Sequence, residues 1–303
     1  MDANTGSLTA LVTAFIRAYH ATHGNPKVFD DFVARDLFTK DEYALLSRNL
    51  AQCLKFFDQE AAAAGLGEAE ALDVVMQQQM ATLLCRARYA EECLEEAVAS
   101  GTEQYVILGA GFETYAFRRS DRAGRLHIFE VDHPATQSFK KRRLTELGWS
   151  TPRYLHFVPF DFTKESLGSA LRQSAYSKQQ ASFWSWLGVS YYLPREVVSR
   201  TLRTIARNAP PGCSLVFDYI DADAFVPGKA DKRMLAVQEL VRSAGEPMQT
   251  GFDPLTLAAD LQAVGFALKE DLGPAALDAR YFGGRTDGLR AYAHVRLARA
   301  VVV

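Results

Sequence analysis

Two glycines, Gly109 and Gly111, flank Ala110 directly after the apolar run Tyr105-Val106-Ile107-Leu108, and Thr114 follows three positions later. Glycine lets the backbone turn tightly and lets it approach a bound group with no Cβ in the way. A loop of this kind suits a nucleotide or an amino-acid moiety. The next apolar run ends in Phe129-Glu130-Val131-Asp132. It places Glu130 and Asp132 about 20 residues past the glycines, where a carboxylate accepts hydrogen bonds from a ribose hydroxyl pair. A third candidate is Asp161-Phe162, an acid that can accept from the exocyclic amine of an adenine beside a ring that packs on its face. Each feature alone has an ordinary reading. Glycine after a strand is often just a turn, and Asp161 stands where it would cap the turn from Thr163 to Leu167. Together they fit one ligand.

Two features argue against a dinucleotide. The third glycine of the pyrophosphate-binding fingerprint is replaced by Thr114, and nothing else suggests a nicotinamide pocket. S-adenosylmethionine (SAM), which carries no pyrophosphate, fits better.

The elements that must position these residues follow from periodicity. From Leu8 to about Ser100 the pattern is helical: Leu8, Leu11, Val12, Phe15 and Ile16 recur at steps of three and four, and so do Leu83, Leu84, Tyr89 and Leu94. Gly24-Asn25-Pro26 and Gly65-Leu66-Gly67 punctuate it. Residues 1–100 are therefore expected to form a helical cap, and residues 101–303 the ligand-binding domain. In the second part, apolar strands are expected at Tyr105 to Leu108, Leu126 to Val131, Leu155 to Pro159, Ser182 to Trp186 and Ser214 to Tyr219. Helices are expected between them at Pro134 to Leu147, Thr163 to Gln173 and Arg195 to Asn208. Such alternation implies an α/β fold with a mostly parallel sheet and right-handed crossovers. An insert at about 222–251 carries little strand signal and is expected to form a helical lid. A helix at Pro254 to Val264 and strands at Phe266 to Asp271 and Leu289 to Leu297 would close the sheet with an antiparallel pair.

Composition narrows the class further. The 303 residues are 48% hydrophobic and 23% charged, with a formal net charge of −2, as expected of an ordinary globular chain. No long basic block is present to release counterions from a nucleic acid, and no apolar run approaches the ~18 residues of a membrane span. The stretch from Met1 to Thr9 lacks the basic and apolar regions of a signal peptide, so a cytoplasmic location is expected. Cys53, Cys85, Cys93 and Cys213 show no metal-ligand spacing and are expected to be reduced, structural thiols, with no metal bound.

The runs VILGAGFETYAFR, FEVDHPATQSFKKRRL and WLGVSYYLPREVV, in that order, resemble the leucine carboxyl methyltransferase family, including its bacterial and natural-product O-methyltransferase branch. TAFIRAYHATH and CRARYAEECL resemble that family's helical cap. The resemblance implies a Rossmann-like class I methyltransferase fold with a seven-stranded sheet, with SAM as cofactor and S-adenosylhomocysteine as product. It also assigns roles. Arg86 matches a cap arginine that contacts the SAM carboxylate, and Arg17 a second cationic cap position. Gly109 matches the first loop glycine, Asp132 the ribose-binding acid, and Asp161 with Phe162 an adenine-binding Asp-Leu pair. The sequence departs from the eukaryotic pattern where a glutamate is expected before Gly188, because Leu187 stands there. A backbone carbonyl near Gly109 or Trp186 would then serve the ammonium.

For the acceptor, the sequence supports a small molecule, and the resemblance favours a carboxylate methylated to an ester in secondary metabolism. A carboxylate is ionised at neutral pH and needs no base. A phenol would benefit from one, for which His20 and His133 are the candidates. Tyr192 is the expected acceptor contact, with Tyr191, Asp218 and Tyr219 near the same strand ends. The alternatives are a methyltransferase acting on a protein C-terminal carboxyl, a non-catalytic SAM-binding protein and, last, a nicotinamide oxidoreductase.

Overall fold

The computed structural model describes residues 7–122 and 124–303, so the stretch 1–6 read for a leader lies outside the described residues. The chain opens with helix α1 (Leu8–His23), started by Ser7, whose side chain accepts from the Ala10 amide. Helix α2 (Lys40–Ala51) begins in a reciprocal cap: Glu42 N donates to Thr39 Oγ1 while Thr39 N donates to Glu42. Two single-turn helices follow, and then α3 (Glu68–Ala99), which is 32 residues long.

Beyond α3 the strands and helices alternate as their patterns require. The strands are β1 (Gln104–Leu108), β2 (His127–Asp132), β3 (Leu155–Pro159), β4 (Ser182–Trp186), β5 (Ser214–Ile220), β6 (Phe266–Leu272) and β7 (Val295–Val302). Between them run α4 (Pro134–Glu146), α5 (Leu167–Arg172), α6 (Arg195–Asn208), α7 (Lys232–Ser243) and α8 (Leu257–Gln262). The seven strands form one sheet in the order β3-β2-β1-β4-β5-β7-β6, parallel except for β7, which is antiparallel to both neighbours. This is a Rossmann-like class I methyltransferase architecture.

The central strands read as unbroken apolar runs because helices cover both faces. Val106, Leu108, Trp184 and Trp186 pack on one side with α6, while Tyr105, Ile107 and Phe183 face the other with Cys85, Tyr89 and Cys93 of α3. A separate cluster joins α1, α2 and the first half of α3, including Phe15, Ile16, Leu50 and Met76. Helix α3 therefore belongs to both the cap and the sheet.

Two expectations need correction. The last strand begins at Val295, six residues later than its pattern suggests, because Leu289 and Tyr292 are buried in loop positions that imitate a strand's apolar count. The helix expected over Thr163 to Gln173 is confined to Leu167–Arg172, with Thr163 held in a turn by Asp161. The insert does form a helix, α7, flanked by loops.

Candidate active site

Register decides what meets at the carboxyl edge of the sheet. Leu108 lies opposite Val131 on β2 and opposite Trp186 on β4, so the residues that follow, Gly109, Asp132 and Leu187, emerge side by side. They line a cavity of about 380 Å³ roofed by α1 and by the loop after α7.

The glycine loop is built for close approach. Gly109 has φ +70° and Gly111 φ +53°, and a Cβ on Gly109 would meet Val189 Cγ2 at 2.3 Å. The Gly111 amide donates to the Asp132 carboxylate, and so does the His133 amide, at 2.6 Å. Burial raises the Asp132 carboxyl above its ordinary range and these two amides pull it back, leaving it raised. Thr114, the residue that breaks the dinucleotide fingerprint, has a structural use: its hydroxyl donates to the buried Asp31 at 2.7 Å. Arg17 pairs with the same carboxylate at 2.8 Å and donates to the Phe112 carbonyl at 2.7 Å. Arg17 thus fastens α1 onto the loop and lines the cavity.

Ala110, Asp161 and Phe162 also line the cavity, together with His133. Burial pushes the Asp161 carboxyl up, but hydrogen bonds from Thr163 and Lys164 outweigh it and hold the group at about 2. Asp161 therefore caps its turn and faces the cavity at once. His133 caps α4, with Nδ1 accepting from the Ala135 amide at 3.2 Å, and its Nε2 lies 3.7 Å from Asp161.

A second cavity, of about 240 Å³, adjoins the first between α1, α2, α3 and α7. Its wall is apolar, with Val12, Ile16, Leu83, Met234, Val237 and Met248 among the lining residues. Arg86, Tyr192, Thr9 and Thr13 line both cavities and so stand between them. Arg86 is buried, its Nη1 donating to Asp218 at 2.9 Å and to the Tyr191 hydroxyl at 3.1 Å. Asp218 is fully buried and accepts in addition from the Gly188 amide at 2.7 Å. Sequence reasoning placed Asp218 near the acceptor, whereas the structure makes it the counterion of Arg86. Tyr219 also turns away from both cavities, its hydroxyl bonded to Asp271 and Arg296.

Three other expected site residues lie outside both cavities. Glu130 is buried under β2 against Lys140 Nζ at 2.6 Å, and Lys140 donates in turn to the Glu113 carbonyl of the glycine loop. Burial raises its carboxyl to about 7 despite the ammonium. Residues 130 and 132 share one strand face, and what separates them is that 132 stands at the carboxyl end of the strand while 130 lies within it. Trp186 is fully buried with its Nε1 unpartnered among the described residues, and its ring stacks on Phe162 at 5.9 Å. His20 is buried in the cap, where Nε2 accepts from the Val28 amide at 2.9 Å and burial lowers its pKa to about 4. It supports a turn and reaches no cavity.

The structure adds one group that sequence spacing did not signal. Glu246, in the loop after α7, lines the first cavity and accepts from Thr9 of α1. The same loop is tied down where Gln249 N donates to the Tyr191 carbonyl at 2.7 Å and Thr250 Oγ1 to the Leu193 carbonyl at 2.6 Å. Glu246 lies 60 residues along the chain from Trp186 at the end of β4, so no local pattern links them.

The architecture is matched by a DUF574 family protein from Streptomyces avermitilis with a TM-score of 0.54 and 14% identity, covering 85% of this chain and 97% of that one. In sequence, the Bacillus subtilis (strain 168) protein YktD, named for S-adenosyl-L-methionine-dependent methyltransferase activity, is 38% identical over 303 residues, 99% of both chains. A Mycobacteroides abscessus protein named for the same activity is 31% identical over 178 residues, 58% of this chain and 56% of its own length. The leucine carboxyl methyltransferase profile matches residues 10–206, which hold the glycine loop, Asp132, Asp161, Arg86 and Tyr192. The chain belongs to the leucine carboxyl methyltransferase family and is a SAM-dependent methyltransferase.

Proposed function

We propose that this enzyme transfers the methyl group of SAM to an oxygen of a small-molecule carboxylic acid, forming a methyl ester, in secondary metabolism. The observation that carries the reading is the lining of the 240 Å³ cavity, which among the described residues includes no histidine and no acid. No side chain of that lining takes a proton, so the cavity suits an acceptor that arrives ionised. A carboxylic acid does so at neutral pH, and a phenol, with a pKa near 10, does not.

The first cavity fits SAM on its own chemistry. Asp132 offers a carboxylate at the strand end for ribose hydroxyls, and Asp161 with Phe162 offers an acceptor and a ring face for adenine. Gly188 leaves room for the Arg86 guanidinium, which would hold the carboxylate of the amino-acid end, and Glu246, on the same cavity, would offer its ammonium the carboxylate that Leu187 does not. When bound, SAM supplies a methyl on a cationic sulfur: the new O–C bond forms as the C–S bond breaks, and the electron pair stays on sulfur.

What the chain contributes is placement and exclusion of water. Tyr192 stands on the shared wall with no hydrogen-bond partner for its hydroxyl among the described residues, free to donate to one carboxylate oxygen while the other faces the methyl group. Burial raises its pKa, so it stays a neutral donor. Asp218 balances the charge of Arg86, which keeps a second net cation away from the sulfonium.

The test is to incubate the enzyme with SAM and matched panels of carboxylic acids and phenols, reading S-adenosylhomocysteine and methylated product by mass spectrometry. Methyl esters from the acids, with rates independent of pH between 6.5 and 8.5, are expected. Methylation of phenols with none of acids would sink the reading.

A further inference from the structure

The 240 Å³ cavity is almost free of charge, although the helices around it are rich in charged residues. Four of the twelve residues of the lid helix α7 are charged, Lys232, Arg233, Glu239 and Arg242, and none of them lines the cavity. Those that do are Met234, Val237, Leu240 and Val241, a set that falls on one face of a helix. The same partition holds in α2, where Lys40, Asp41, Glu42 and Arg48 stand outside while Leu46, Asn49 and Leu50 line the cavity. Arg86 is the one charged lining residue among the described residues, and the buried Asp218 already balances it. Hydroxyls along the wall are spent as well. Thr13 Oγ1 donates to the Thr9 carbonyl at 2.8 Å, Tyr292 donates to the Gln78 carbonyl at 2.6 Å, and Tyr191 accepts from Arg86. An ionised group carried into this cavity beyond Tyr192 and Arg86 therefore meets no opposite charge, and a buried charge without a partner is strongly unfavourable.

We propose that the acceptor is a monocarboxylic acid whose remainder is uncharged and apolar, and that the cavity-lining face of α7 enforces this choice. The inference rests on the carboxylate reading above and narrows it. The reacting carboxylate takes its place at Tyr192, on the wall shared with the cofactor cavity, and the carbon skeleton packs against Met234, Val237 and Val241. Burying that skeleton supplies affinity in proportion to its apolar area. A second carboxylate or an ammonium on the same skeleton forfeits part of that gain and adds the cost of an unpaired charge, so dicarboxylic and amino acids are rejected.

The experiment pairs straight-chain acids of six to twelve carbons with the dicarboxylic acids of the same length, and octanoic acid with 8-aminooctanoic acid. Initial methylation rates with SAM are measured, together with calorimetric titration of each acid into protein loaded with S-adenosylhomocysteine. The native enzyme is expected to favour its best monoacid over the charged partners about a hundredfold in kcat/KM and in affinity. Val237→Lys and Val241→Lys each put a cation on the cavity-lining face of α7. At least one of them should cut the preference over the diacid about tenfold, through tighter binding of the diacid, while 8-aminooctanoic acid stays excluded. Affinity for S-adenosylhomocysteine within about twofold of native shows that a variant has kept its fold. A charged acid handled as well as its monoacid partner, or a preference unmoved in both variants, overturns the proposal and leaves the carboxylate reading standing. Methylation of phenols with no binding of any acid overturns that reading and this inference with it.

Discussion

The guanidinium of Arg86 lies over the backbone of Gly188, so close that a Cβ on that glycine would stand 2.5 Å from Nη2. Gly188 also has φ +73° and donates its amide to Asp218, the counterion of Arg86. Gly188→Ala must therefore move the guanidinium as well as strain its own backbone. The expected result is at least tenfold weaker binding of S-adenosylhomocysteine by calorimetry. Gly148→Ala is the control, because its φ of +68° carries the same backbone strain with nothing within 4 Å of the added Cβ. It should lower stability without touching affinity.

Removing one partner of the Arg86–Asp218 pair leaves the other charge buried and alone. Asp218→Ala is expected to cost about 3–5 kcal/mol in urea unfolding. The double variant Arg86→Met with Asp218→Leu should recover much of that loss while binding no cofactor. A double variant as unstable as the single one would mean that the pair's charge is not what the fold depends on.

Asp132 and Glu130 make a contrast on one strand. Asp132→Ala should weaken both SAM and S-adenosylhomocysteine at least tenfold, since its carboxylate faces the cavity. Glu130→Gln should leave affinity within about twofold, but it strips Lys140 of its buried counterion and should lower the unfolding midpoint. Equal losses of affinity in the two variants would contradict the placement of Glu130 outside the site.

Acid stability should report His20. Its folded pKa, about 4, lies below the ordinary 6.5, so the folded state favours the neutral ring that accepts from Val28. The stabilisation is complete above pH 6.5 and is lost as pH falls from there toward 4. His20→Gln should flatten the stability profile over that window in denaturant titrations at stepped pH. A slope that persists in the variant would assign the effect to other groups.

Much of this was legible in the sequence because the informative signals are local. The first five strands stand within two residues of their expected bounds, since buried parallel strands are short apolar runs with clear punctuation. The glycine loop, Asp132 and Asp161 were found by spacing along consecutive strand ends, which the parallel register brings together. What stayed hidden depends on distant pairing. Glu130 and Asp132 look alike in sequence, and only the end of β2 separates a buried Lys140 partner from a cavity acid. His20 looked like a base because its burial within the cap has no local signature. Glu246 was invisible because its proximity to the glycine loop is made by α7 folding back over the sheet.

Helix α3 has a consequence for anyone who would recombine such enzymes. Its first half is packed with α1 and α2 and its second half with the sheet, and Arg86, which lines both cavities, stands on the second half. The seam between the helical part and the sheet part therefore runs along the inside of a helix rather than across a linker. A chimera joined at residue 100 would carry Arg86 and the α3 face of the second cavity with its cap, and would exchange part of both cavity walls as a single inheritance.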